Sequence, residues 1–441
     1  MNQTRMAVCI FLIAILLIGW GSVLTTTDDS AEISQAAVEQ AQIYREKELY
    51  EMAILSCQEA LDASPSLENY QLLVEIYGEY YQSVLTSSVL RSYQSALSEA
   101  ANAWPSEASF WETSAALYLE KGEYTSAYSV VTKAAGKGCT SETLDALGLR
   151  AYYAFDSGYM KAQSLSLLGY EGSFTAYNGE AWGVISGTST ILSYLYTDAS
   201  DIGPDGKLTV TDSEGVIWLV DLDGMKWARF DSEISAYGIY GDGFLPVQTG
   251  EGTWTYLDEQ ETLLPGRYLT AGTFSDGTAA VQYTDGTWGI IDTAGEPDSD
   301  QTWEEIRLNP DGTYLTNSRF LAKTGETWQI WKQSGAVVED FSCTDVDVYL
   351  GEDIAYYDGS AWGFVDRTGD VTIEPCYEDA KSFSDGVAAV CKDGLWGFIN
   401  TDGVLVIDYY FYDVGYFSDG ACAVQAEEDG TWCVITWEVS R

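Results

Sequence analysis

The sequence predicts an α+β multidomain chain. An N-terminal transmembrane helix leads into α-helical hairpins, and these lead into an all-β repeat array, either a propeller-like ring or an open β-solenoid. Three observations carry this expectation. Residues 6–24 form an apolar run. From about Ser34 to Leu168 apolar residues recur at three and four, the period of amphipathic helices, with no Asp-Gly pair. Beyond about Glu171 lie all 12 Asp-Gly pairs and 12 of the 15 tryptophans, which is the signature of repeated hairpins. The expected domains are residues 1–27, 28–170 and 171–441.

Composition narrows the function classes. The chain has 441 residues and 46% hydrophobic residues, enough for real cores. Its net charge is −47, of which residues 171–441 carry −36. Such a charge argues against nucleic acid or anionic lipid headgroups as the main partner, because counterion release would have the wrong sign. Histidine is absent, which removes Ser-His, Cys-His and His-metal mechanisms. The eight cysteines form no CxxC pair and are too sparse for a disulfide scaffold. Cys57 on a helix face and Cys422 on a strand read as buried thiols.

The run from Met6 to Leu24, read as a helix, is about 28 Å long, enough to cross a bilayer core. It is longer than the apolar region of a cleaved signal, and Gly19-Trp20-Gly21 is a poor cleavage site. An uncleaved anchor is therefore expected, with a cleaved signal as the alternative. Arg5 before the run, with Asp28 and Asp29 after it, places the N-terminus inside and the bulk of the chain outside.

The helical region repeats. In residues 108–141, Trp111, Ala115 and Tyr118 share one helix face, Gly122 and Tyr124 make a turn, and Ala127, Val131 and Ala134 line a second helix. Residues 34–67 repeat this with Ala41, Tyr44, Tyr50, Ala53, Cys57, Ala60 and Pro65. Small residues are needed where two helices cross closely. The pattern resembles the tetratricopeptide repeat. In that family the concave face binds peptides or proteins, though an array can also serve as a spacer. Pro65 to Pro105 spans 40 residues, so a longer turn is expected near Thr86. A fourth unit is expected to begin at Leu144 and to resume at Gly158-Tyr159 and Ala162.

The later tryptophans keep a register. Trp182, Trp218, Trp254, Trp288, Trp328, Trp362, Trp396 and Trp432 are 36, 36, 34, 40, 34, 34 and 36 residues apart. Gly183, Gly289, Gly363 and Gly397 follow four of them. Phe274-Ser275-Asp276-Gly277, Phe383-Ser384-Asp385-Gly386 and Phe417-Ser418-Asp419-Gly420 precede tryptophans by 13 to 15 residues, and Tyr240-Gly241-Asp242-Gly243 is a degenerate copy. Each period has room for three or four strands. A unit of this size cannot bury its apolar face alone and must stack on its neighbours. Closure into a ring of seven or eight blades protects the sheet edges, and an open solenoid is the alternative. The last unit stops soon after its second strand.

The segments Ala361-Trp362-Gly363-Phe364-Val365-Asp366 and Leu395-Trp396-Gly397-Phe398-Ile399-Asn400 resemble the WG-repeat family. The resemblance implies a bacterial protein with an interaction or architectural role, and it supplies no catalytic residue.

No catalytic, cofactor-binding or metal-ligating residue is assigned, and no cofactor is expected. Asp345, Asp347, Glu352 and Asp353, and Asp221-Leu222-Asp223-Gly224, are acidic clusters of the kind that can hold Ca²⁺. Neither follows the Asp-x-Asp-x-Asp-Gly-x5-Glu loop, and solvated turns are the simpler reading. Trp227, Trp303, Trp331 and Trp437 stand outside the register and suit either packing or exposed stacking. The leading reading is a non-catalytic, membrane-anchored, extracellular interaction or scaffolding protein whose protein partner carries a basic surface. The rivals are a carbohydrate or cell-wall binding module and an envelope hydrolase using a carboxylate pair.

Overall fold

The computed structural model describes residues 27–158, 160–231, 233–250, 252–338 and 341–439. The expected anchor at residues 6–24 lies outside them. Among the described residues no helix is long and apolar enough to cross a membrane. The chain divides into two compact units, residues 1–151 and 152–441.

The first unit holds seven helices among the described residues: α1 (Thr27–Glu46), α2 (Tyr50–Ala63), α3 (Leu67–Val84), α4 (Ser87–Ala103), α5 (Ala108–Glu120), α6 (Tyr124–Gly136) and α7 (Glu142–Tyr152). Each of α1 to α5 packs on the next. Ala41, Ala53, Ala60, Ala115, Ala127 and Ala134 are completely buried, because only small side chains fit where the backbones approach closely. Asn69 ties three segments together. Its amide donates to Ser34 Oγ (3.0 Å) and the Ser64 carbonyl (2.9 Å), so its burial leaves no unmet donor. The extra length between Pro65 and Pro105 is not a longer turn. Helices α3 and α4 have 18 and 17 residues against 13 and 13 for α5 and α6, and only Leu85 and Thr86 separate them.

Among the described residues the second unit contains eight antiparallel sheets. Blade 1 has strands Ser164–Leu165, Ser173–Tyr177, Trp182–Ser186 and Ser189–Tyr196. Blades 2 to 7 begin at Asp198, Ala236, Thr270, Glu305, Asp345 and Asp379. Blade 8 takes Asp413–Val414, Ala421–Gln425 and Cys433–Trp437 from the end of the chain, and its fourth strand is Phe155–Ser157. The register pairs Phe155 with Trp437, Asp156 with Thr436 and Ser157 with Ile435. The Tyr416 N–H also donates to the Leu167 carbonyl, joining blade 8 to blade 1 (2.8 Å). The array is therefore a closed ring of eight blades, not an open solenoid.

This closure also corrects the fourth helical unit. Residues 155–157 are a strand, and Ala162 bridges Trp432. Tyr159 lies outside the described residues. The contact boundary after Ala151 falls earlier than residue 170, where the composition changes, because the strands at 155–157 and 164–165 belong to the ring.

The ring's cores lie between its blades. Eight apolar clusters each span one junction. At the junction of blades 6 and 7, Phe364 meets Phe383 edge to face at 4.9 Å. At the next, Phe398 meets Phe417 at 5.1 Å, and between blades 3 and 4 Tyr256 meets Phe274 at 4.8 Å. The Phe of the Phe-Ser-Asp-Gly landmark is thus the plug that one blade inserts against the preceding one.

The Trp-Gly pair has a steric reason. The fourth strand crosses the third so closely that a Cβ on Gly397 would lie 2.6 Å from the Ile407 carbonyl oxygen, and one on Gly363 would lie 2.7 Å from that of Ile373. Both crossings coincide with a register shift at the glycine. Gly397→Ala should destabilise the ring by about 1–3 kcal/mol, the usual cost of overpacking. Gly250→Ala, where the new methyl meets nothing within 4 Å, should stay within about 0.5 kcal/mol of wild type in denaturant melts. Equal losses would refute the steric account.

Candidate binding surfaces at the rim and axis of the ring

The Asp-Gly turns on one rim clasp neighbouring blades. The aspartates of the landmark have left-handed backbones: φ is 47° at Asp242, 56° at Asp385 and 47° at Asp419. Their main-chain N–H groups and those of the following glycines point toward the previous blade. Asp205 accepts from Asp242 N (3.1 Å), Asp242 from Gly277 N (2.7 Å), Glu352 from Gly386 N (3.1 Å) and Asp385 from Gly420 N (2.6 Å). The Ser384 hydroxyl donates to the Phe417 carbonyl. Where blade 8 meets blade 1 the rim opens into a cleft of about 640 Å³ lined by Glu171, Asp385, Asp419 and Trp437.

The axis is polar and unsymmetrical. In blades 5 to 7 the residue following the innermost strand is charged. In blade 5 this is Arg307, which pairs with Asp345 (2.8 Å) and lies over Trp328 (4.4 Å). In blade 7 it is Lys381, whose Nζ lies 5.7 Å from the Trp396 ring centre and 5.2 Å from that of Tyr416. In blade 6 it is Asp347, which accepts from Ser382 N (2.7 Å) and from the Tyr416 hydroxyl (2.8 Å). Burial pushes the Asp347 carboxyl up, while these two bonds oppose the shift. Burial, with Asp347 beside it, holds Tyr416 well above the usual phenol range.

Asp201 of blade 2 differs. Its carboxylate makes no hydrogen bond or ion pair among the described residues, and burial together with the facing Asp311 holds its pKa at about 6. Asp311 is also pushed up by burial, but it accepts from Thr313 N (3.0 Å) and Oγ1 (2.7 Å). Asp201 borders a cavity of about 270 Å³ to which blades 1, 2 and 5 contribute, which places it across the axis.

The acidic clusters singled out in the sequence are divided among structural tasks. Asp345 pairs with Arg307, Asp347 bonds blades 7 and 8, Glu352 clasps blade 7, and the Asp353 carbonyl accepts from Phe383 N. Asp221 caps its own turn through Asp223 N and Met225 N and accepts from the Trp227 indole. Among the described residues no group of three or more Cys, Asp or Glu is placed to hold a metal.

The register tryptophans are buried or half-buried. Trp303 is buried, and Trp437 stacks on Phe417 at 4.2 Å. Trp227, 51% exposed, stands apart from the exposed Tyr410 and Tyr412 of blades 7 and 8, so these rings form no continuous row. The cysteines at 57, 139, 343, 376, 391, 422 and 433 are free thiols. In the helical unit a groove of about 360 Å³ is lined by residues that include Leu97, Trp111, Tyr118, Val130 and Lys133.

Strand order and closure define the second unit as an eight-bladed β-propeller. The WG containing repeat family matches residues 362–396 and 396–432, which are blades 6 to 8 counted from tryptophan to tryptophan. No curated protein matches the chain. Among solved structures the chain is similar to BamB from Moraxella catarrhalis, with 14% identity and a TM-score of 0.38 over 64% of this chain and 96% of that one. It is also similar to the WD40 β-propeller domain of Doa1, with 15% identity and a TM-score of 0.31 over 55% of this chain and 93% of that one.

The Asp201 environment gives a pH test. Its folded pKa of about 6 lies above the model-peptide value of 3.8, so the native state loses stability relative to the unfolded chain as pH rises through that interval. Asp201→Asn should therefore be more stable than wild type above pH 6, with the difference vanishing toward pH 4. A constant difference across that range in paired melts would contradict the assignment.

Proposed function

We propose that this is a non-catalytic interaction or scaffolding protein whose propeller binds a protein partner bearing a basic face. The supporting observation is the rim: Asp205, Asp242, Glu352, Asp385 and Asp419 are drawn to one end of the ring by the clasp turns, within a unit already strongly acidic. A cationic surface approaching that rim is attracted over a distance set by ionic strength. The helical unit, read as tetratricopeptide-like, offers its groove at Trp111 and Tyr118 for a peptide segment. The apolar run at residues 6–24 is proposed to hold the chain in the cell membrane as a single-pass anchor, with both units outside.

Capture of partners by residues 28–441 tests this reading. Binding should weaken steeply from about 0.1 M to 1 M salt, as the Debye length falls from about 10 Å to 3 Å. A screen on wall glycans and peptides run alongside should give no turnover. Turnover abolished by neutralising one carboxylate pair would overturn the non-catalytic reading. Partner binding indifferent to salt would remove its electrostatic part.

A further inference from the structure

We propose that the axial cavity between Asp201 and Trp182 is a binding site for an organic ammonium group. The cavity, about 270 Å³, is bounded by Asp201, Trp182, Pro310 and the run Ser164-Leu165-Ser166-Leu167, with no Lys or Arg among its lining residues.

The ring itself supplies the precedent. In blades 5 and 7 the residue after the innermost strand is a cation, Arg307 or Lys381, and it lies over the register tryptophan of its own blade. In blade 1 that position is Ser166, whose hydroxyl accepts from Thr175 N, so Trp182 receives no cation from its own blade. An ammonium group entering the cavity takes the place that Arg307 and Lys381 fill elsewhere. It gains the indole face and a carboxylate together.

Asp201 points to the same ligand. The other half-buried axial carboxylates are satisfied, Asp347 by Ser382 N and Tyr416, and Asp311 by Thr313. Asp201 has no such bond, and a desolvated carboxylate without a partner is unfavourable until it is protonated or meets a cation. A hard metal ion fits less well. It requires about six oxygen ligands, whereas Leu165, Leu167, Pro310 and Trp182 make most of the wall apolar.

The same chemistry is carried by a free alkylamine and by a partner's lysine side chain. The probes are n-butylammonium chloride, the blocked tripeptide acetyl-Gly-Lys-Gly-amide, and n-butanol as the neutral isostere. Each is titrated into the full chain at constant ionic strength, followed by calorimetry and tryptophan fluorescence. Butylammonium should bind saturably and n-butanol should not. Saturable binding of the tripeptide as well marks a partner's lysine as the source, while binding of butylammonium alone marks a free amine.

Asp201→Asn should weaken butylammonium at least about tenfold, the scale of a charged hydrogen bond. Trp182→Leu should weaken it about three- to tenfold. Asp285→Asn, in an exposed turn of blade 4, should leave it unchanged. Should Asp201→Asn unfold, carboxylate NMR on the wild-type chain replaces it, and the Asp201 pKa should fall on adding butylammonium. Absence of saturable binding, equal binding of n-butanol, equal losses in the Asp201 and Asp285 variants, or an unmoved Asp201 pKa would each overturn the proposal. The site does not depend on the ring's being a protein-binding body, so its failure would leave that reading to the salt-dependent capture.

Discussion

Every core of the β unit lies between two blades, and this makes closure compulsory. A blade such as Val387–Phe411 has two apolar faces, one covered by Phe364 and its neighbours and the other by Phe417 and Val424. An open array would leave one such face bare at each end, and burial of apolar area is the main favourable term available to it. The chain meets this by making blade 8 from both sides of the array. Residues 155–157 supply its outer strand, and Phe174 and Ile185 of blade 1 cover Ala421, Ala423 and Val434. The hydrogen bonds that join Ala162 to Trp432 repeat, across the closure, the bridges joining Trp254 to Tyr268 and Trp288 to Trp303 in the body of the ring.

Given closure, the landmarks become parts of one joint. Phenylalanine plugs the junction, serine and aspartate bond across it at the rim, and glycine permits the turn. The glycine after tryptophan lets the outer strand cross. Where it is replaced, as by Leu219 in blade 2, the register shift moves one residue further on, to Leu219/Val220. The rim thus gathers carboxylates because their oxygens accept main-chain N–H groups of the next blade. The axis holds charges of both signs in blades 5 to 7, where the residue after the innermost strand is Arg307, Asp347 or Lys381, whereas blade 8 has Gly415 there, because a Cβ would lie 2.1 Å from the Leu167 carbonyl oxygen across the junction.

Much of the fold was legible in the sequence. Asp-Gly spacing located the hairpins, and the tryptophan interval located the blades. A ring of seven or eight blades was legible beside the open solenoid, but the strand that closes it was not. Phe155–Ser157 is a short strand with no periodicity of its own, and its partner lies at the far end of the chain. Ala162 beside Leu147-Gly148 reads equally well as a helical continuation. The lengthened α3 and α4 read in the sequence as a longer turn, because Thr86 looks like a loop residue and Leu85, at φ 49°, carries no Gly or Asn signal. The acidic cluster at 345–353 was visible as a cluster, but which carboxylates are already bonded depends on blades 5, 7 and 8. Nothing in the sequence marks Asp201. It sits in an ordinary run, Asp198-Ala199-Ser200-Asp201, and only the convergence of blades 1, 2 and 5 gives it a cavity.

Amide hydrogen exchange at the closing blade tests the closed ring most directly. The Gly158 N–H donates to the Val434 carbonyl at 2.8 Å, and Ala162 and Trp432 exchange bonds at 2.9 and 2.8 Å. The closed ring requires these amides to be as slow as the equivalent Trp254 and Tyr268 amides of blade 3, exchanging only when the ring opens as a whole. Fast, independent exchange at Gly158, Ala162 and Trp432, with blade 3 still protected, would mean that the array is open and that the account of its joints is wrong.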